Sequence, residues 1–232
     1  MTTILFQGDS VTDCGRDRKD FYGLGGGYPL YFSQAMPGIR VLNRGISGNR
    51  AKDLAARWDE DCLALHPDIV SILIGINDVW RRYDSNDPTS DAAFEASYRE
   101  ILEPLRARQN ERYEPQGKTL DPCCTASRGE LHPVRNKILL ILPFLLDVNA
   151  SVTRMREDLA GKQAVVRRLA GEYGAALLDA DALFREALAA RGLPPVHFAA
   201  DGVHPTQAGH RLLAEGIMAN LKNTCFFPRD PL

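Results

Sequence analysis

The chain predicts an α/β fold, a three-layer α/β/α sandwich on about five parallel strands. Three observations lead there. Short runs are apolar at nearly every position, as strands buried on both faces are. The segments between them repeat apolar residues at helical spacing. Strand and helix alternate along the chain, which is how parallel strands are joined.

The first strand is Ile4–Phe6, which stops at Gln7-Gly8-Asp9-Ser10. The others are Arg40–Leu42, Ile69–Ile74, Lys137–Leu142 and Ala175–Leu178, each bounded by Gly, Pro or Asp. A helix over 50–65 carries Leu54, Ala55, Trp58, Cys62 and Leu65; one over 91–108 carries Phe94, Tyr98, Ile101, Leu102 and Leu105. Helices are also expected over 152–173, 180–191 and 206–221, the last with Leu212, Leu213, Ile217 and Leu221 on one side. Two stretches break the rhythm. Residues 13–28 form a loop with Gly23, Gly25, Gly26 and Gly27. Residues 109–136 are polar, bear Pro and Gly and have no period, which marks an insertion or flap in what otherwise reads as a single domain over 1–232.

Composition narrows the function classes. With 44% apolar and 25% charged residues, the 232-residue chain can bury a full core. Its net charge of −2 offers no basic excess to nucleic acid or acidic lipid. The start lacks a basic segment followed by a signal-length apolar run, and Ile138–Leu146 is too short to span a bilayer, so a cytoplasmic location is expected. The five cysteines, Cys14, Cys62, Cys123, Cys124 and Cys225, are irregularly spaced and read as free thiols.

Right-handed crossovers put every strand's C-terminal end on one edge, where open α/β sheets bind ligands. Four polar segments fall there or just before the last helix: Gly8-Asp9-Ser10, residues 43–50, Gly75-Ile76-Asn77-Asp78 and Asp201-Gly202-Val203-His204-Pro205. Together they supply what acyl transfer needs. Ser10 supplies the hydroxyl of the expected nucleophile. His204 is its base, and Asp201, three residues earlier, orients the imidazole. The Ser10 and Gly45 amides and the Asn77 side chain are the expected oxyanion donors.

These four blocks, in this order over nearly the whole chain, resemble the SGNH hydrolases, also called the GDSL esterase/lipase family. The resemblance implies a flavodoxin-like sandwich and no metal or organic cofactor. It also implies nucleophile and oxyanion roles for Ser10, oxyanion roles for Gly45 and Asn77, and base and orienter roles for His204 and Asp201. The first block has Val11 where the family name places Leu. The implied activity is serine ester hydrolysis on short acyl esters, with acetyl esters of carbohydrates as the family-level lean. Transfer to an alcohol or cleavage of a thioester would use the same site. A non-catalytic carbohydrate-binding protein is the alternative of another class.

Asp9, Asn49, Asp78 and Trp80 are candidate substrate contacts, each with a structural alternative: a turn cap for Asp9, loop ties for Asn49 and Asp78, packing for Trp80. His197 is a candidate neighbour of the catalytic pair. His66, His132 and His210 read as surface or packing residues.

Overall fold

A computed structural model describes residues 1–112, 137–224 and 226. Five strands form one parallel sheet in the order β2-β1-β3-β4-β5: β1 Thr3–Gly8, β2 Arg40–Asn43, β3 Ile69–Leu73, β4 Ile138–Ile141 and β5 Ala176–Leu178. Ile4 of β1 stands opposite Val41 on one side and Ile69 on the other. All five strand predictions hold to within two residues at either end.

The pleat sends alternate side chains to opposite faces, so each strand feeds two cores. Ile4 and Phe6, with Val41, Ile69 and Ile141, meet helices α2 (Tyr28–Ala35), α9 (Ala180–Arg191) and α10 (Gln207–Asn223). Leu5, Val70, Ile72 and Leu140 meet α3 (Ala51–Ala56), α4 (Trp58–Asp61), α6 (Asp91–Arg112) and α8 (Arg156–Tyr173). The remaining α-helices among the described residues are α1 (Ser10–Asp13), α5 (Ile76–Asp84) and α7 (Ala150–Thr153).

Several segments differ from expectation. The helix expected over 50–65 is α3, α4 and a 3₁₀ turn at Leu63–Leu65. It breaks at Arg57, whose guanidinium turns inward to the carbonyls of Arg44 and Gly8, at 2.8 and 3.3 Å. The helix expected over 152–173 is likewise two pieces, α7 and α8. Helix α2 had no counterpart in the sequence reading; Pro29 sits in its first turn, where its missing N–H costs nothing. Of the expected 109–136 insertion, residues 109–112 continue α6 and the rest lies outside the described residues, as do Cys123, Cys124, Cys225 and His132.

Candidate active site

The strand order reverses direction between β1 and β3, and this is where a doubly wound sheet opens a crevice. Ser10 follows β1 and Asn77 follows β3, so both stand at that crevice. Ser10 opens α1. Asp9 caps that helix, its Oδ1 accepting the Val11 N–H at 3.0 Å. The Ser10 N–H makes no hydrogen bond to any described residue.

His204 arrives on the turn before α10. An isolated bridge between Ala199 and Pro205 closes that turn, and Thr206 caps the helix. Asp201 accepts the backbone N–H of Val203 at 3.0 Å and of His204 at 2.8 Å through Oδ1. Its Oδ2 lies 2.6 Å from His204 Nδ1. Burial pushes the Asp201 carboxyl up, but the His204 and Val203 bonds outweigh it and hold it below its ordinary value. An ionised carboxylate can only accept, so Nδ1 carries the proton and Nε2 is bare. Nε2 is 2.9 Å from Ser10 Oγ, and the hydroxyl donates to it. Serine, histidine and aspartate thus line up for proton transfer.

The oxyanion side differs from expectation at one residue. Gly45 N–H donates to Asn43 Oδ1 at 2.9 Å, so it is not free to bind a substrate oxygen. Gly45 is needed for space instead: a Cβ there would lie 2.3 Å from the Asp13 nitrogen. Three residues on, Gly48 is exposed at φ +85° and its N–H meets no described acceptor. Asn77 Nδ2 donates to the neighbouring Asn49 carbonyl at 3.0 Å, which sets the amide beside Gly48 and leaves its second hydrogen unused.

The loop carrying Gly48 is held from several sides. Asp13 Oδ2 accepts both the backbone N–H and the hydroxyl of Ser47, each at 2.9 Å. Asn43 Nδ2 donates to the Thr12 and Leu24 carbonyls at 2.7 and 2.8 Å. Arg57 Nε donates to Asn49 Oδ1 at 2.8 Å. Sequence reasoning missed Asp13, Asn43 and Arg57. The one available signal was Asp13, three residues after Ser10 in the same block.

The candidate substrate contacts divide. Asp9 and Asp78 are buried, 1% and 2% exposed, with their carboxylates on backbone amides, so neither meets substrate. Asp78 Oδ2 accepts the Ala51 N–H at 3.0 Å and so ties the start of α3 to α5. Burial pushes Asp9 up to about 7 and Asp78 up to about 6. Asn49 is half-buried, and its side-chain oxygen is spent on Arg57. Trp80 is half-buried against the cluster of Ile76, Val79 and Leu145. Arg81, one helical turn after Asn77, stands nearer the mouth: a Cβ on Gly48 would lie 4.0 Å from its guanidinium. The His197 ring is exposed and packs edge-on against Phe198, 4.9 Å between centroids.

His210 is a packing residue. Its Nδ1 accepts the Tyr28 N–H at 3.2 Å, so Nε2 holds the proton and faces Cys14 Sγ at 3.3 Å. Burial, with His204 nearby, drives it down to about 4, so it stays neutral. Among the described residues, no group of three His, Cys, Asp or Glu side chains could hold a metal ion.

The family model for GDSL-like lipases and acylhydrolases matches residues 6–212. The chain belongs to that family. It is 36% identical over 228 residues to an acetylxylan esterase of Geobacillus stearothermophilus, with 94% of this chain and 93% of the relative covered. A crystal structure of an acetylxylan esterase from that organism superposes with a TM-score of 0.77 at 34% identity, covering 99% of this chain and 97% of the other. Catalytic mutants of that esterase replace a serine, an aspartate and, three positions after the aspartate, a histidine. A GDSL-like protein of Parabacteroides merdae superposes with a TM-score of 0.78 at 28% identity, covering 97% of this chain and 96% of the other. The GDSL protein described here is therefore a carboxylic ester hydrolase of the α/β/α class. No helix among the described residues is long and apolar enough to cross a membrane.

Proposed function

We propose that this esterase removes short acyl groups, acetyl above all, from carbohydrate esters through an acyl-enzyme. The observation that carries the reading is the aligned Ser10–His204–Asp201 relay, at 2.9 and 2.6 Å. Ser10 Oγ attacks the ester carbonyl as His204 Nε2 takes its proton. Asp201 stabilises the imidazolium. The developing oxyanion meets the Ser10 and Gly48 amides and the free hydrogen of Asn77 Nδ2. His204 then protonates the departing alcohol. Water, deprotonated by the same nitrogen, releases the acid.

Two features support a short acyl group and a sugar leaving group. Asn77 and Arg81 give the mouth a polar rim, and the Geobacillus relatives are acetylxylan esterases.

The test is acetate release from acetylated xylose, acetylated xylooligosaccharides and p-nitrophenyl acetate, butyrate and octanoate, with Ser10→Ala alongside. The reading expects acetyl esters to be fastest and Ser10→Ala to be inert yet folded. Octanoate preferred over acetate, or no release from acetylated sugars, would overturn it. Added alcohols that collect the acyl group in place of water would point to transfer.

A further inference from the structure

The loop after α1, Arg44 and the segment from α4 to Leu65 enclose a groove of about 300 Å³. Arg16, Phe21, Arg44, Glu60, Asp61 and Leu65 line it, with Arg44 Nε and Asp61 paired at 3.9 Å. Its inner lining is the outer surface of the segments that hold the catalytic parts. Arg16 Nε donates to the Gly45 carbonyl at 2.9 Å, and Gly45 is pressed against Thr12 and Asp13 of the helix that starts at Ser10. Arg44 lies four residues before Gly48.

The Phe21 ring is 49% exposed, and Tyr22 beside it is 62% exposed, with 5.0 Å between ring centroids. Exposed aromatic rings in a concave site mark a binding surface. Phe21 is also held in place. The Arg44 guanidinium stacks over it at 4.2 Å and donates to its carbonyl at 3.0 Å. Arg16 forms no ion pair with any described residue, although it is half-buried and close to Arg44. Exposed Glu60, also in the lining, has no ion pair or hydrogen bond among the described residues. An immobilised aromatic ring, the Arg16 nitrogens left over from the Gly45 bond and an unpaired acceptor pair thus line one space.

That combination matches a pyranose ring. The C–H face of the sugar packs on the negative face of an aromatic ring. Its hydroxyl rim needs donors and acceptors, which a guanidinium and a carboxylate supply in planar, two-pronged form. We propose that this groove is a subsite for a second, neutral sugar ring of an oligosaccharide substrate, linked to the acetylated ring held at Ser10. The inference rests on the carbohydrate-ester reading and adds that the enzyme selects for chain length. Phe21 supplies the stacking face, and Arg16 and Glu60 bind hydroxyls.

The experiment measures kcat/KM on acetylated xylose and on acetylated xylooligosaccharides of two to four rings, for wild type, Phe21→Ala and Glu60→Ala. Calorimetry follows unacetylated xylotetraose binding to Ser10→Ala and to Ser10→Ala/Phe21→Ala. Wild type should gain about tenfold in kcat/KM from one ring to the longer chains, the size of one aromatic stacking contact. Phe21→Ala should lose that gain and keep its rate on p-nitrophenyl acetate. Glu60→Ala, an exposed site that leaves the Arg44 stack intact, should lose part of it. Equal chain-length dependence in wild type and both variants overturns the subsite. So does a flat wild-type profile on sugar esters it does cleave, which leaves the carbohydrate-ester reading standing. If no acetylated sugar is cleaved, that reading fails, and calorimetry decides the groove separately: xylotetraose bound only with Phe21 present supports it, and no binding overturns it.

Discussion

Replacing Asp201 with Asn should lower kcat by about 10³–10⁴ and leave the protein folded. The structure decides how the new amide sits. Asp201 Oδ1 accepts two backbone N–H groups, at 2.8 and 3.0 Å, while Oδ2 meets one ring nitrogen at 2.6 Å. With its oxygen on the backbone donors, the asparagine keeps both bonds and turns its NH₂ toward Nδ1. Reversed, it opposes two donors with a donor and loses both, at about 1 kcal/mol each. The first setting wins, and it forces the imidazole to move its proton from Nδ1 to Nε2. The base then faces Ser10 already protonated. In the well-studied Ser–His–Asp site of a serine protease the same wrong tautomer costs about 10⁴ in kcat, or about 5 kcal/mol. The assay is kcat on p-nitrophenyl acetate at pH 8, with thermal melts. Asp201→Asn should melt within about 2 °C of wild type, and Asp201→Ala, which drops both backbone bonds, should melt lower. An Asp201→Asn variant within tenfold of wild-type kcat would refute the assignment of Asp201 as orienter of the base.

Three other outcomes follow from the same geometry. Asn77→Ala should lower kcat by about 10²–10³ with little change in KM, because it removes an oxyanion donor; steady-state kinetics showing a KM effect alone would move Asn77 to substrate binding. Burial raises the Asp9 carboxyl from its ordinary 3.8 to about 7, so the stability it contributes is complete below about pH 4 and lost as pH rises through 7. That loss is on the order of 4 kcal/mol, and buried Asp78 adds to it in the same direction. Asp9→Asn keeps an acceptor for the Val11 N–H and cannot ionise, so its melting temperature should gain on wild type more at pH 8 than at pH 5; parallel pH profiles would count against a buried, titrating Asp9. Finally, Gly45→Ala should destabilise by about 3 kcal/mol, since its Cβ would stand 2.3 Å from the Asp13 nitrogen. Gly48→Ala has open space and only the backbone strain of φ +85°, about 1 kcal/mol; urea midpoints in the reverse order would contradict this assignment of the two glycines.

What the sequence revealed and what it concealed have separate physical causes. Strand runs such as Ile69–Leu73 are legible because burial on both faces leaves an unbroken apolar signal. Ser10, Asn77, Asp201 and His204 are legible because their chemistry is rare and each falls beside an element boundary. Choosing between Gly45 and Gly48 requires knowing where every amide donates, and the Asn43 side chain that takes the Gly45 N–H is invisible in the linear order. For Asp9 and Asp78 the structural alternatives, a turn cap and a loop tie, are the ones that hold. The sequence left a substrate contact open for both because a carboxylate in a loop reads as exposed. Here each is turned inward to cap a backbone N–H, and no periodicity marks that. Arg57 and Arg16 went unread for a related reason: a lone arginine on a helix or loop gives no hint that its guanidinium ties other segments together.

The relay joins groups 194 residues apart in the chain. At about 5–20 residues per second of synthesis, Ser10 leaves the ribosome roughly 10–40 s before His204 exists. For that interval the hydroxyl is an ordinary alcohol with no base to activate it. In the finished fold α10 packs on α2, and the His210–Tyr28 bond helps hold the segment that carries His204. The growing chain therefore carries a hydroxyl without a base, and completing the fold is what brings the two together.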